Sequence, residues 1–134
     1  MRAQVGALKS LGVDRTGRRA FLNGEIVSLE SRSASGGVYG FVQNVDGRLT
    51  SQLFSIADKN TSSAVRGFLK FRDDSIALAR ASGVSTLELQ GGSVVNPRVA
   101  RFLSEQGFGT KSVPVPATLG GGYQDVFVKV IEVQ

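Results

Sequence analysis

The sequence predicts one mixed α/β domain, in which helices pack on a mostly antiparallel sheet. Its 134 residues suit a single folded unit. Turn signals at Asn23-Gly24 and Asp46-Gly47 separate segments of strand length. Between residues 65 and 79 the apolar residues instead recur mostly at three- and four-residue steps, which is typical of an amphipathic helix. The predicted order is three antiparallel strands, a helix, a strand, a helix and two strands, which is a layered domain and neither a bundle nor a barrel.

Residues 1–20 are the least defined part of this single predicted domain, 1–134. They hold a helical stretch, AQVGALKSLGV, and then a charged turn. A strand pattern begins at Ala20, with a turn and a strand on Ile26, Val27 and Leu29. The run SRSASGG is predicted to break that strand. VYGFVQNV forms the second strand, and RLTSQLFSIAD forms the third.

The second half of the chain supplies the helices and the closing strands. AVRGFLKFRDDSIALARAS is predicted to be a helix that ends at Gly83. VSTLELQ is a short strand with Leu87 and Leu89 on one face. After the second helix, KSVPVPATL and YQDVFVKVIEV form two strands around a turn of three glycines. Because the last strand is apolar on both faces apart from Lys129, we expect it to be central and covered.

The second helix, NPRVARFLSEQGF, has start and stop signals at its two ends. Asn96 suits the N-cap, and Pro97 suits the first helical position, where its missing N–H has no cost. Gly107 is expected in the left-handed conformation after the C-cap, so that Phe108 folds back on Leu103. Packing alone explains these residues.

Composition excludes several kinds of chemistry. The chain has no cysteine and no histidine, which removes thiol nucleophiles, Cys/His zinc sites, disulfides and histidine acid–base pairs. No apolar run approaches the length of a membrane span, and the N-terminus lacks a signal-peptide core. A soluble, cytoplasmic protein is therefore expected.

The net charge of +5 is concentrated towards the N-terminus, where Arg15, Arg18 and Arg19 lie close together. Such a patch suits an anionic partner, either a nucleic acid or a phosphorylated cofactor. The alternative is a surface that only keeps the protein soluble.

A second candidate anion site is the start of the first long helix, IADKNTSSAVRG. The first N–H groups of a helix are unpaired and carry a partial positive charge, to which Arg66 adds a full one. This combination holds a phosphate or pyrophosphate well. The alternative is an ordinary serine-capped helix.

Four segments of the chain also follow a known pattern in order and spacing. NPRVARFLSEQGF carries Asn96, Gly107 and Phe108 at the spacing of Asn-x-x-Ala-x-x-x-Tyr-x-x-x-Gly-Phe, with Val99 at the small-residue position. LFSIAD, GVSTLELQ and YQDVFVKVIEV lie around it in the matching order. From about Gly40 to the C-terminus, the chain thus resembles the GCN5-related N-acetyltransferase (GNAT) superfamily.

This resemblance implies a mixed sheet that splays between the strands at Ile56 and Leu87, with acetyl-CoA in the gap. The pantetheine arm would pair with the backbone of Ile56 and Ala57, as an added strand would, and Asn96 would touch the arm. The resemblance places the pyrophosphate on the N–H groups of Ser62, Ser63, Ala64, Val65, Arg66 and Gly67. The implied reaction is transfer of the acetyl group to an amine, by positioning with the help of a base and an acid.

The sequence departs from the family pattern at two functional positions. The phosphate loop of the family is glycine-rich, whereas SSAVRGF supplies only Gly67 and places the bulky Phe68 beside it. The helix tyrosine that often serves as the acid is replaced by Leu103, which cannot donate a proton, and Ser104 points about 100° further round the helix. Asp58, Glu88, Tyr39 and Tyr123 are other acid–base candidates, each with a structural alternative, and none is assigned.

Three functions follow from these observations. The first is an acyl-CoA-dependent N-acyltransferase that acts on an amine. The second is a catalytically inactive GNAT-like module that serves as a protein-interaction or structural component, alone or as a homo-oligomer. The third is a nucleic-acid-binding protein that uses the arginine patch, although aromatic residues are not interleaved with it.

Overall fold

The computed structural model describes residues 2–33, 36–56, 61–92, 97–115 and 117–133, and it has the predicted mixed architecture. In chain order the elements are α1 (Arg2–Ser10), α2 (Arg15–Leu22), β1 (Val27–Ser33), β2 (Gly36–Val45), β3 (Arg48–Ile56), α3 (Thr61–Ala81), β4 (Thr86–Gly91), α4 (Pro97–Glu105), β5 (Gly109–Pro114), a 3-10 turn (Ala117–Leu119) and β6 (Tyr123–Glu132). The fold class predicted from the sequence is confirmed.

The six strands form one sheet in the order β1-β2-β3-β4-β6-β5. β3 and β4 pair in parallel, and every other neighbouring pair is antiparallel. α3 makes the long connection that two parallel neighbours require. The sheet is thus mostly antiparallel, as predicted, with its one parallel junction near the middle.

Two predicted turns are present, because each depends on the backbone conformation of only one or two residues. Asp46 and Gly47 have φ angles of 55° and 75°, the left-handed pair that joins β2 to β3 as a two-residue hairpin. Gly107, with a φ of 87°, ends α4. The N–H of Phe108 donates to the carbonyl of Leu103 at 3.1 Å, and the N–H of Gly107 donates to that of Ser104 at 3.1 Å, which is the predicted Schellman motif.

The helices share one hydrophobic core with one face of the sheet, called the helix face below. Leu49 and Leu53 of β3 and Leu87 and Leu89 of β4 alternate onto this face, where residues from all four α-helices join them. The intervening residues lie on the opposite side of the sheet, called the outer face. By strand register the outer face includes Arg48, Thr50, Gln52, Glu88, Gln90, Lys111, Val126, Val128 and Val130.

The N-terminal prediction is wrong in one respect, because the charged turn is the helix α2. Asp14 caps this helix, since its carboxylate accepts from the N–H of Gly17 at 2.8 Å. Phe21 lies in the core, and its burial stabilises a helix in this arginine-rich segment. The predicted strand at Ala20 is therefore displaced, and β1 begins at Val27, after Ile26.

Two strand predictions also need correction. The predicted break at SRSASGG is mostly strand, since β1 and β2 pair from Val27↔Val42 to Ser33↔Gly36. β6 is central, between β4 and β5, but it is not covered on both faces. Val130, on the outer face, is 50% exposed, because the helices cover only the helix face of this strand.

Candidate functional site

At one end of the sheet β4 ends at Gly91, while its neighbour β3 continues to Ile56; the tip of β3 and the end of β4 are together called the fork below. The two strands pair from Arg48↔Thr86 to Leu53↔Gly91, and the N–H of Gly92 then donates to the carbonyl of Leu53 at 2.7 Å. β3 continues to Ile56, where its only described partner strand is β2. In the described chain, the backbone edge of residues 54–56 that faces β4 therefore has no partner strand.

A β-bulge lies at the point where the fork opens. The register between β2 and β3 shifts from Gly40↔Leu53 to Tyr39↔Ser55, so Phe54 is the extra residue of β3. Gly40 permits a close approach here, because a Cβ at this position would overlap the carbonyl oxygen of Gln52. A bulge bends its strand, and here it turns β3 where β4 ends.

The helix start predicted as an anion site lies shortly beyond the fork. α3 begins at Thr61, five residues after Ile56, and its first turn contains no acidic residue. Ser62, Ser63 and Ala64 belong to this turn, so their backbone N–H groups are at the positive end of the helix.

The side chains of the next residues of α3 are partly exposed to solvent and partly buried in the core. The side chain of Arg66 is exposed, and Val65 and Gly67 are half-buried. Phe68 is buried, with its ring centroid 5.6 Å from that of Phe108 and 6.3 Å from that of Phe102. The bulky neighbour of Gly67 thus packs into the core between α3 and α4 and does not cover the helix surface.

Three of the sequence-predicted residues, Ala57, Asp58 and Asn96, lie outside the described residues. Ile56 is the last residue of β3, at the tip of the fork. Leu103 is buried, and its Cδ1 lies 3.7 Å from the position a Cβ of Gly91 would take. This residue therefore supports the strand that borders the fork, and α4 offers no acid at that position.

Both tyrosine candidates lie at the end of the sheet where the fork opens. Tyr39 is opposite Ser55, in the part of β3 that extends past the end of β4. Its ring makes an edge contact with that of Phe41, with the ring centroids 5.7 Å apart. Tyr123 begins β6 and is mostly exposed. Tyr39 lies on β2, the neighbour of β3, and Tyr123 lies on β6, the neighbour of β4, so each is one strand away from the fork.

The remaining acid–base candidate, Glu88, is buried on the outer face of β4. Its side chain is 7% exposed and accepts hydrogen bonds from three residues. Arg48 Nη1 lies 3.3 Å from Oε1, Lys111 Nζ lies 3.3 Å from Oε2 and 3.5 Å from Oε1, and Gln90 Nε2 lies 2.5 Å from Oε2. Glu88 is thus a hydrogen-bonded, ion-paired carboxylate and does not lie on a solvated face.

Sequence reasoning missed the partners of Glu88. The alternation of Glu88 and Gln90 with Leu87 and Leu89 indicates that both polar residues share the second face of a strand. Nothing local indicates that Arg48, from β3, and Lys111, from β5, meet there, because they are 40 and 23 residues away along the chain.

The three arginines of the predicted patch lie on α2 and differ in their contacts. Arg18 turns back, and its Nη1 donates to the carbonyl of Val13 at 2.9 Å. Arg15 and Arg19 are exposed and make no ion pair with the described residues. Binding of nucleic acid at this patch stays a prediction.

Two further features concern metals and membranes. In the described parts of the chain, no group of three or more Asp and Glu residues lies close enough together to hold a metal ion. No described helix has both the length and the apolar character needed to cross a membrane.

No protein-family model matches the sequence, and neither does any curated protein. Solved structures do match. The acetyltransferase of the GNAT family from Staphylococcus aureus Mu50 is 12% identical, with 99% of this chain and 92% of that chain covered and a TM-score of 0.48. The ribosomal-protein-S18-alanine N-acetyltransferase from Escherichia coli is 15% identical, with 99% and 87% covered and a TM-score of 0.46.

A Bacillus subtilis acetyltransferase in complex with CoA is 11% identical, with 96% of this chain and 93% of that chain covered and a TM-score of 0.41. Acetyltransferases of the GNAT family are thus among the solved structures to which this chain is similar. The likeness concerns the fold alone, and at these identities it carries no activity over to this chain.

Proposed function

We propose that this chain binds an acyl-CoA, with acetyl-CoA as the expected form, in the fork between β3 and β4, and transfers the acyl group to an amine. The observation that carries the proposal is the edge of residues 54–56, which has no partner strand in the described parts of the chain and precedes α3 in the sequence. The proposal includes the use of acetyl-CoA rather than another acyl-CoA. It also includes a cytoplasmic location.

The fork and the helix start suit the two ends of one elongated ligand. A pantetheine arm has amide groups, and these pair with the strand edge at Ile56, where the described chain has no partner strand, as an added strand does. The proposal extends this pairing to Ala57. A pyrophosphate accepts from the N–H groups of the first turn of α3, at Ser62 and Ser63. The N–H groups of residues 65–67, which the family resemblance also includes, pair within the helix because α3 begins at Thr61. Thr61 follows Ile56 by five residues, so the chain can span no more than about 18 Å between the two elements.

Charge at the helix start also favours a phosphate group. The first turn of α3 has no acidic residue to repel an anion, and the exposed Arg66 adds a positive charge one turn later. Phe68 does not obstruct the approach, because it is packed in the core. In this proposal Asn96, the residue before α4, touches the pantetheine arm.

The acyl-CoA supplies a thioester carbon that an amine can attack. The chain contributes the positions of the two reactants and the movement of protons, one from the amine and one to the thiolate that leaves. Tyr39, opposite Ser55, is a described proton donor on the strand next to β3. We propose it as the group that protonates the thiolate.

A negative charge introduced at the start of α3 tests the cofactor site. Ser63→Asp should leave the free protein as stable as the wild type or stabilise it by about 0.5 kcal/mol, because an acidic residue suits a helix N-terminus. The same charge should weaken acetyl-CoA binding about tenfold or more by repelling the phosphates. Ser63→Asn has nearly the same shape without the charge and is the matched control.

Isothermal titration calorimetry measures the affinity, and thermal unfolding measures the stability. The wild type should unfold at a higher temperature as acetyl-CoA is added, since a ligand of the folded state stabilises it by mass action. Absence of a shift at millimolar acetyl-CoA would contradict the proposal, and equal affinities for the aspartate and asparagine variants would exclude the α3 site.

The second candidate function is a catalytically inactive module with the same fold. Leu103 favours it, because the position from which the family often supplies a proton is filled by a buried, packed leucine. The surface of α2 and of the turn after it agrees with an interaction role, since Leu22 and Ile26 are both more than half exposed. Binding of acetyl-CoA by the wild type without transfer to any amine would favour this function.

A further inference from the structure

The outer face carries a pair of cations that a single buried carboxylate holds together. Arg48 from β3 and Lys111 from β5 both approach Oε1 of Glu88, at 3.3 Å and 3.5 Å. Because Arg48 Nη1 and Lys111 Nζ contact the same oxygen, the distance between these two nitrogens is at most the sum of the two distances. The cations come from strands on either side of β4 and β6, so the three charges bridge the middle of the sheet.

Both cations remain accessible to a ligand. The side chains of Arg48 and Lys111 are 50% and 51% exposed, whereas that of Glu88 is 7% exposed. Neither cation has a further ion pair or side-chain hydrogen bond with the described residues. Their contacts with Glu88 are also longer than the 2.7–2.9 Å or so of a strong charge-assisted hydrogen bond, so each cation keeps donors for another partner.

The charge balance of this cluster favours an anion over a cation. Two positive groups surround one negative group, and the negative group is the deepest of the three. A ligand that arrives from solvent therefore meets the two cations first. A second ammonium would meet like charges, whereas a carboxylate or phosphate can bridge the two nitrogens with two of its oxygens.

The position of the cluster relates it to the fork. Glu88 is three residues before Gly91 on β4, which is about 10 Å along a strand. Gln90 lies between them on the same face, is buried, and donates to Glu88. The outer face thus offers a polar path along β4 from the cluster to the place where the acyl group is proposed to react.

We propose that Arg48 and Lys111 form an anion subsite, and that the amine acceptor carries a carboxylate or phosphate which binds there. The subsite rests on the geometry above, and its assignment to the acceptor rests on the proposed function. An acceptor of this class is a peptide with a free amino terminus and an acidic side chain about three residues later, since three extended residues span about 10 Å. Glu88 is a positioning residue, because it holds the two cations together.

The subsite is tested without any acyl-CoA, so its outcome is independent of the proposed function. Sodium acetate and sodium phosphate are titrated separately, at constant ionic strength, into isotopically labelled protein while backbone amide shifts are followed by NMR. Saturable shifts at Arg48, Glu88 and Lys111 are expected. The stronger of the two titrations identifies a carboxylate or a phosphate as the preferred group.

Three substitutions separate a subsite from general charge effects. Lys111→Met should weaken anion binding about tenfold, since one of the two charge-assisted contacts is lost. Lys111→Arg keeps the charge and should bind within about threefold of the wild type. Lys70→Met is the matched control, because Lys70 is also an exposed lysine paired with a carboxylate, Asp74, but belongs to α3. Thermal unfolding of each variant checks that it is folded.

Two C-terminally amidated peptides test the assignment to the acceptor. Ala-Ala-Ala-Glu should bind more tightly than Ala-Ala-Ala-Gln in the wild type, and Lys111→Met should abolish the difference. The subsite would be overturned if the shifts do not saturate, or if Lys70→Met weakens anion binding as much as Lys111→Met does. Arg48, Glu88 and Lys111 would then form only a cross-strand ion pair. Saturable anion binding with equal affinity for both peptides would overturn the acceptor assignment.

Discussion

Replacement of Gly40 by alanine should destabilise the sheet at the mouth of the fork. A Cβ at this position would lie well inside 3.0 Å of the carbonyl oxygen of Gln52, and it would also lie 3.4 Å from the Cα of Leu53. Both neighbours belong to the backbone of β3, so no side chain can turn aside to make room. β2 and β3 would have to separate by several tenths of an ångström beside the bulge.

The expected cost is about 2 kcal/mol of the free energy of unfolding. Overpacking costs about 1–3 kcal/mol, and a clash with backbone belongs near the upper end of that range. Alanine recovers about 0.4–1 kcal/mol by restricting the unfolded chain. For a chain of this length the net loss corresponds to a decrease of roughly 8 °C in Tm.

Gly6→Ala is the matched control for this substitution. Gly6 lies inside α1, has no positive φ, and has no neighbouring atom within 4 Å of the position that an alanine methyl group would take. Alanine should therefore stabilise the protein by up to about 1 kcal/mol, through helix propensity. Urea unfolding followed by circular dichroism compares the two variants with the wild type, and a Gly40→Ala variant as stable as the wild type would refute the close approach of β2 to β3.

Two further predictions concern stability. The hydroxyl of Ser75, inside α3, is fully buried and has no hydrogen-bond partner among the described residues, so Ser75→Ala should raise the free energy of unfolding by about 1 kcal/mol; a decrease in urea-melt stability would show that the hydroxyl has a partner. Lys129 Nζ donates to the carbonyl of Gln106 at 2.7 Å, at the C-terminal end of α4. Lys129→Met should therefore cost about 0.5–1 kcal/mol at low salt and less at 1 M salt, because the charge interacts with the helix dipole; a loss unaffected by salt would contradict that cause.

The two faces of the sheet divide structural and chemical roles. On the helix face, Leu87 and Leu89 of β4 are fully buried in the core. On the outer face, Glu88 and Gln90 of the same strand are buried but hydrogen-bonded, with exposed cations above them. A buried carboxylate is costly without partners, so the ion pairs of Glu88 account for its tolerance in the middle of the sheet.

Local features of this protein were predictable from the sequence because neighbouring residues determine them. The Asp46-Gly47 hairpin depends on two left-handed residues, and the end of α4 depends on the conformation of Gly107. The apolar spacing of α3 and the alternation of β4 depend on periods of a few residues. These features, in their order along the chain, also predicted the mixed fold class.

Residues distant in the sequence decided the rest. The charged segment at Arg15 is helical because the core takes up Phe21, and Val130 of β6 is half exposed because the α-helices pack against the other face of the sheet. The fork exists because β4 ends before β3 does, and the cluster at Glu88 exists because strand order brings Arg48 and Lys111 to one carboxylate. Such contacts depend on which strands become neighbours, and local sequence preferences do not contain that information.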